Sequence, residues 1–180
     1  TIEADDKLNC HIKCGETTFD IMGMAAEDFP EMPTVGSDRT LKIDGSLLSE
    51  MVKGTFFATA QNEGAKPILT GINVTVKDSV MQFVAIDGYR LAIKRENVDI
   101  SDDFSFILSG KAVSEAVKLI DENTEEVEMK VGENLISFNI NGYDFISRLL
   151  EGEFVNYQKT IPSAHTQRVV VNTRELIDTI

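Results

Sequence analysis

The chain is poor in cysteine and histidine, with two of each, and has only seventeen basic side chains against thirty acidic ones. It has no apolar run near the roughly 18 residues that a membrane-spanning helix needs. Each scarcity closes off a class of protein. Cys10 and Cys14 lie in Leu8-Asn-Cys-His-Ile-Lys-Cys14, which alternates like a strand. Positions four apart on a strand stand about 13 Å from each other, beyond the roughly 7 Å limit for a disulfide. Two reduced, partly buried thiols and a reducing, cytoplasmic compartment are therefore expected. His11 sits between them, but the other histidine is His165 and there is no C-x-x-C spacing, so no metal is expected. The opening Thr1-Ile-Glu-Ala-Asp-Asp6 has no signal-peptide pattern. The formal net charge of −13 excludes a protein that coats nucleic acid with its whole surface, though cations gathered on one face can still meet phosphate.

Catalytic signatures are also missing. No phosphate-binding glycine loop, nucleophile elbow or zinc-protease motif occurs, and neither histidine has a nucleophile beside it. The run Asp121-Glu-Asn-Thr-Glu-Glu-Val-Glu128 lacks the glycine and ligand spacing of a calcium loop and reads as a solvated acidic turn. No cofactor is implied.

What is present is a normal globular balance, 42% hydrophobic and 26% charged, in 180 residues. That length suits one domain or a domain with pieces of its neighbours. Alternation predicts a hairpin over 7–24, followed by Pro, Gly and Ser signals over 28–38 that mark a boundary. A short strand at 40–43 leads to Asp44, an N-cap for a helix over about 46–58 with the stripe Leu48, Met51, Val52, Thr55 and Phe56. Strands are expected from Pro67 to about Val76, over 80–86, over 89–95 from the Asp87-Gly88 turn, and over 104–108. Ser109 caps a second helix over about 110–121, and strands at about 125–131, 134–140 and 143–150 follow. Residues 40–160 thus spell eight strands and two helices, an α+β unit. A strand at 168–171 and a helix start at Asn172 come next.

The ends repeat one another. Asp6-Lys-Leu8, Cys14-Gly15 and Phe19 correspond to Glu133-Asn-Leu135, Asn141-Gly142 and Ile146, a shift of 127 residues. Thr40–Asp44 and Leu48 likewise correspond to Arg168–Asn172 and Leu176. A period this long points to tandem copies of one domain, here the tail of one, a whole second, and the start of a third.

Val84-Ala-Ile-Asp-Gly-Tyr-Arg-Leu-Ala92 reads most simply as a hairpin with Asp-Gly at its turn. Tyr89 and Arg90 are also the pair that can rim an apolar groove. This segment resembles the hairpin of the bacterial DNA polymerase III beta subunit family, the sliding clamps. Phe145–Pro162 resembles the segment closing that family's middle domain, and Ala26–Pro33 the phrase closing its first. The resemblance implies a DNA clamp fold of repeated domains: 1–36 the end of the first, 37–162 the whole middle one, 163–180 the start of the third. It implies a homodimeric ring with helices facing a central channel and antiparallel sheets outside, in the bacterial cytoplasm, with no membrane role. The implied partners are duplex DNA, held without sequence preference, and short apolar peptides of the replicative polymerase, the clamp loader and repair polymerases. By aligned position the peptide site would include Leu69, Ile86, Gly88, Tyr89, Arg90, Leu91, Val155, Lys159 and Thr160. The DNA-facing candidates are Lys53, Lys66, Lys111 and Lys118, with Glu115 on the same helix face as the last two. Two rival readings stand beside it: a peptide-binding adaptor without DNA, and an acid-base enzyme using Asp87 with Arg90.

Overall fold

The structure, a computed structural model, describes residues 1–36, 39–62 and 64–180, so the expected boundary at residue 37 falls outside the described residues. The chain divides into two units, Thr1–Thr34 and Val35–Ile180.

The first unit is a three-stranded antiparallel sheet of β1 (Ile2–Ala4), β2 (Asn9–Cys14) and β3 (Thr17–Met22), in that order. The hairpin was expected; β1 was not, since three residues carry no readable period and pair only because Ile2 meets Ile12. Both cysteines lie on β2 as free thiols, but Cys14 is exposed rather than partly buried because it abuts the Gly15 turn.

In the second unit, β4 (Arg39–Asp44) runs into α1 (Gly45–Phe56). The carboxylate of Asp44 caps this helix, accepting from Leu47 N at 2.8 Å and Ser46 Oγ at 2.6 Å. Next come β5 (Gly71–Lys77), β6 (Val80–Ile86), β7 (Leu91–Asn97), β8 (Phe104–Ser109) and α2 (Gly110–Ala116). Last in the expected unit are β9 (Glu126–Val131), β10 (Leu135–Ile140) and β11 (Tyr143–Arg148). The eight strands form two antiparallel sheets, β11-β10-β9-β4 and β7-β6-β5-β8.

The two helices contact each other, α1 reaches strands of both sheets, and α2 packs on β5 and β8. Leu48, Met51 and Val52 of α1 and Val113 and Ala116 of α2 are buried against Ile72, Val74 and Phe83 of one sheet and Met129, Ile136 and Phe138 of the other. Each well-buried side chain of this size contributes roughly 1.5–3 kcal/mol.

Four expectations need correcting. Pro67–Thr70 is a 3-10 turn, not the start of β5, because proline at its first position fixes a helical φ. Tyr89 and Arg90 belong to a four-residue turn, since β6 and β7 pair only as far as Ile86 and Leu91. α2 ends at Ala116 and tightens into a 3-10 turn over Val117–Leu119. Beyond it, Asp121 Oδ1 accepts from Asn123 N and Thr124 Oγ1, both at 2.9 Å, which builds the acidic turn. The strand expected at 168–171 is not formed, because among the described residues no strand lies beside it to share a ladder. The helix after it, α3 (Thr173–Thr179), does form and is capped by Asn172, as Asp44 caps α1. The β2–β3 and β10–β11 hairpins also share a form, each closed by two residues with glycine at positive φ, Gly15 and Gly142.

Candidate functional site

The β7-β6-β5-β8 sheet turns one face to the helices and the other away from them. Alternation sends Met81, Phe83 and Ala85 inward, so Gln82, Val84 and Ile86 project outward. Cross-strand register places Leu91 beside Ile86, and Asn73, then Ile107, beside Val84. Val84 and Ile107 are nevertheless buried, because the chain after β11 crosses this outer face. Leu150 N donates to Ile107 O at 2.9 Å, and the Leu150 side chain fills the space where Gly71 has no Cβ. Farther along, Tyr157 Oη accepts from Gln82 Nε2 at 2.6 Å, and Gln82 Oε1 in turn accepts from Arg95 Nε.

At the β6–β7 end, Asp87 organises the turn. Its Oδ1 accepts from Tyr89 N at 2.9 Å and Arg90 N at 2.8 Å, and its Oδ2 from Arg90 Nε at 3.0 Å and Nη2 at 2.8 Å. Gly88 takes φ +93°, a conformation costly for other residues, and open space surrounds its Cα. The backbone donors of Arg90 and Tyr89, then the guanidinium, hold the Asp87 carboxyl down at about 2. A carboxylate so stabilised is a poor proton acceptor near neutrality, which counts against the acid-base role considered for the Asp87–Arg90 pair.

The turn leaves Tyr89 95% exposed and sets it with Arg90 on one wall of a depression of about 540 Å³. Leu69 lines the same depression, as do Ala60, Gln61 and Asn62. Leu69 is placed there by Pro67–Thr70 and by a ladder-like bond, Ala60 N to Leu69 O at 2.8 Å. Of the sequence-derived peptide-site residues, Leu69, Tyr89 and Arg90 thus share one depression, with Gly88 at the turn and Ile86 and Leu91 paired at its base. Val155, Lys159 and Thr160 do not line it. They lie on the segment that Leu150 and Tyr157 fasten to the outer sheet face, and Thr160 Oγ1 is spent on Tyr157 O. Sequence reasoning missed the second wall at 60–62, an alanine and two amides in a loop with no period to mark them. It also missed Asp87 as the hub, for which the signal was there: aspartate two residues before the chain reverses is an Asx turn.

The lysine candidates are all exposed. Lys53 lies on α1 beside Glu50 and Lys94 in a shallow depression. Lys94 is tied to Glu50 at 2.6 Å and Glu96 at 3.0 Å. Lys111 and Lys118 share a face of the α2 region, and Glu115 between them takes the Lys118 ammonium at 2.7 Å. Lys66 precedes Pro67.

Two four-stranded antiparallel sheets share one core with a pair of helices, and a depression lies at the β6–β7 end of one sheet; alignment with solved clamps makes this a DNA clamp fold. The structure aligns with the Bacillus subtilis DNA polymerase sliding clamp at a TM-score of 0.88 and 30% identity, over 98% of this chain and 47% of that one. A beta-subunit structure from Eubacterium rectale aligns at 0.86 and 26%, over 99% and 49%. In sequence, the beta sliding clamp of Bacillus subtilis is 31% identical over 99% of this chain and 48% of its own length. Residues 42–156 match the family described as DNA polymerase III beta subunit, central domain, and the chain belongs to that family, whose members are non-catalytic clamp subunits of DNA replication. It spans about half the length of the relatives it matches.

Proposed function

We propose that this chain is the middle portion of a bacterial replication clamp, with the end of a preceding domain and the start of a following one at its flanks. The clamp closes as a head-to-tail homodimer around duplex DNA and tethers polymerases and other clients by short apolar peptides. The observation that carries the reading is the Asp87-organised turn, which holds Tyr89 and Arg90 beside Leu69 at the β6–β7 end of the sheet. A client's leucine or phenylalanine would bury against Leu69 in the depression, with Ile86, Leu91 and, on the segment after β11, Val155 extending the apolar surface. Arg90 would lay its stem along the peptide and hydrogen-bond at the rim. Gly88, open above its Cα, admits the peptide backbone. Lys159 and Thr160, which lie outside this depression, would meet the client farther on, along the segment after β11.

The helix layer supports the DNA side of the proposal. Lys53, Lys66, Lys111 and Lys118 supply local positive charge in a chain of net charge −13. Glu115 and Glu50 temper it, which suits contacts that must be few, weak and blind to sequence. Tethering then raises a polymerase's effective concentration at the primer end.

A fluorescent peptide of the Gln-Leu-x-Leu-Phe type, titrated against the protein and read by anisotropy, tests the groove. Saturable binding that Leu69→Ala and Arg90→Ala each weaken by about tenfold or more is expected, the loss of one buried anchor. Binding unchanged in both folded variants would remove the groove from this face.

A further inference from the structure

Gln61 lines the same depression as Leu69, Tyr89 and Arg90, and the bonds around it fix which way its amide points. Its Nε2 donates to Thr59 Oγ1 at 2.7 Å and to Thr59 O at 3.4 Å. Thr59 is fully buried, and its hydroxyl proton is committed to Phe56 O at 2.8 Å. Both partners therefore offer lone pairs only, and an amide turned the other way would set its oxygen against two acceptors. Nε2 faces Thr59 for that reason, and Oε1 is left outward. Among the described residues nothing donates to that oxygen. Ser109 and Lys111 border Gln61 in a smaller polar depression, and neither is hydrogen-bonded to it.

The backbone ties this amide to the apolar part of the site. Thr59 N donates to Phe56 O at 3.0 Å, at the end of α1, and Ala60 N donates to Leu69 O at 2.8 Å. Gln61 thus follows one residue anchored to α1 and another anchored to Leu69. On Arg90, Asp87 occupies Nε and Nη2, while Nη1 has no acceptor among the described residues. The depression therefore carries a neutral acceptor from one segment, a donor from another, and Leu69 as apolar surface.

We propose that Gln61 is a specificity-determining residue of this depression, its Oε1 accepting a main-chain N–H of the bound peptide beside the apolar side chain seated on Leu69. The inference rests on the peptide-groove reading above. A leucine or phenylalanine brings no side-chain donor, so the donors that enter with it belong to its main chain. Each one desolvated without a partner costs affinity. In an extended peptide, neighbouring main-chain groups point to alternate sides, so one N–H meets Gln61 while a nearby carbonyl meets Arg90 Nη1. Thr59 acts through Gln61, as a positioning residue.

The test uses the full chain and the fluorescent Gln-Leu-x-Leu-Phe peptide, with analogues in which one backbone N–H at a time is replaced by an ester oxygen. Each ester keeps the shape of the chain and removes one donor. Gln61→Ala, a change at an exposed position, is expected to weaken the parent peptide roughly three- to tenfold, the loss of one hydrogen bond. One ester analogue is expected to lose the same factor against the unaltered protein and nothing more against Gln61→Ala, since both changes remove the same bond. Thr59→Val is expected to reproduce the loss, and Thr59→Ser, which keeps the hydroxyl, to restore binding. Leu69→Ala separates the two readings. Binding that Leu69→Ala weakens and Gln61→Ala does not would overturn this inference and leave the groove standing. So would Gln61→Ala acting equally on the parent and on every ester. Binding indifferent to Leu69→Ala would remove the groove, and this assignment with it.

Discussion

Asp87 shows how much can hang on one side chain. Four hydrogen bonds converge on its carboxylate, two from backbone and two from the Arg90 guanidinium, so the positions of Tyr89 and Arg90 are set by a single residue of the turn. Because its carboxyl is held at about 2 against an ordinary 3.8, its stabilising contribution is complete above 3.8 and is lost as pH falls through about 2. An NMR titration of the Asp87 carboxyl is expected to show its midpoint near 2, and a midpoint near 3.8 would mean the turn is not held this way. His11 runs in the opposite sense. Its hydrogen bond and charge pairing with Asp20 raise its value above 6.5, so that contribution is present below 6.5 and fades as pH climbs through the raised value. The sequence named Tyr89 and Arg90 but put them on a strand. Asp-Gly suggested a two-residue turn, and only the side chain's reach to two backbone donors lengthens it to four.

At the scale of elements, legibility followed pattern length. The six- and seven-residue strands β4 to β11 could be located along the chain from their patterning and turns, as could α1 from its stripe of Leu48, Met51, Val52 and Thr55, whereas the pairing of β4 with β9 and of β5 with β8 could not. What could not be read depended on partners distant in sequence. β1 exists through β2, and residues 168–171 stay out of any ladder for want of a neighbour. The burial of Val84, on the face turned from the helices, follows from a segment more than sixty residues later. Gly71 is the joint between that segment and the sheet: a Cβ there would stand 2.6 Å from Leu150 Cδ1, 2.6 Å from Ile107 Cγ2 and 2.8 Å from Leu108 O. Gly71→Ala is therefore expected to cost about 1–3 kcal/mol, read as a lowered urea midpoint, since the carbonyl cannot move aside as a side-chain tip can. An unchanged midpoint would show that neither β8 nor the chain after β11 packs this closely on Gly71.

For the whole molecule, charge and topology argue together. A net charge of −13 is incompatible with tight phosphate binding over the whole surface, yet the α1 and α2 region gathers Lys53, Lys111 and Lys118 while Glu50 and Glu115 hold the local field down. The ring proposed above would need no more than this, since enclosure rather than affinity would keep it on DNA. No helix among the described residues is long and apolar enough to cross a membrane. The measurement that tests the central claim most directly compares two DNA topologies at one ionic strength. The natural protein that contains this chain, loaded on a nicked circular duplex and passed through a sizing column, is expected to stay with the circle and to be lost when a single cut makes the duplex linear. Equal retention, or equal loss, on circular and linear DNA would contradict encirclement and leave a peptide-binding adaptor in its place.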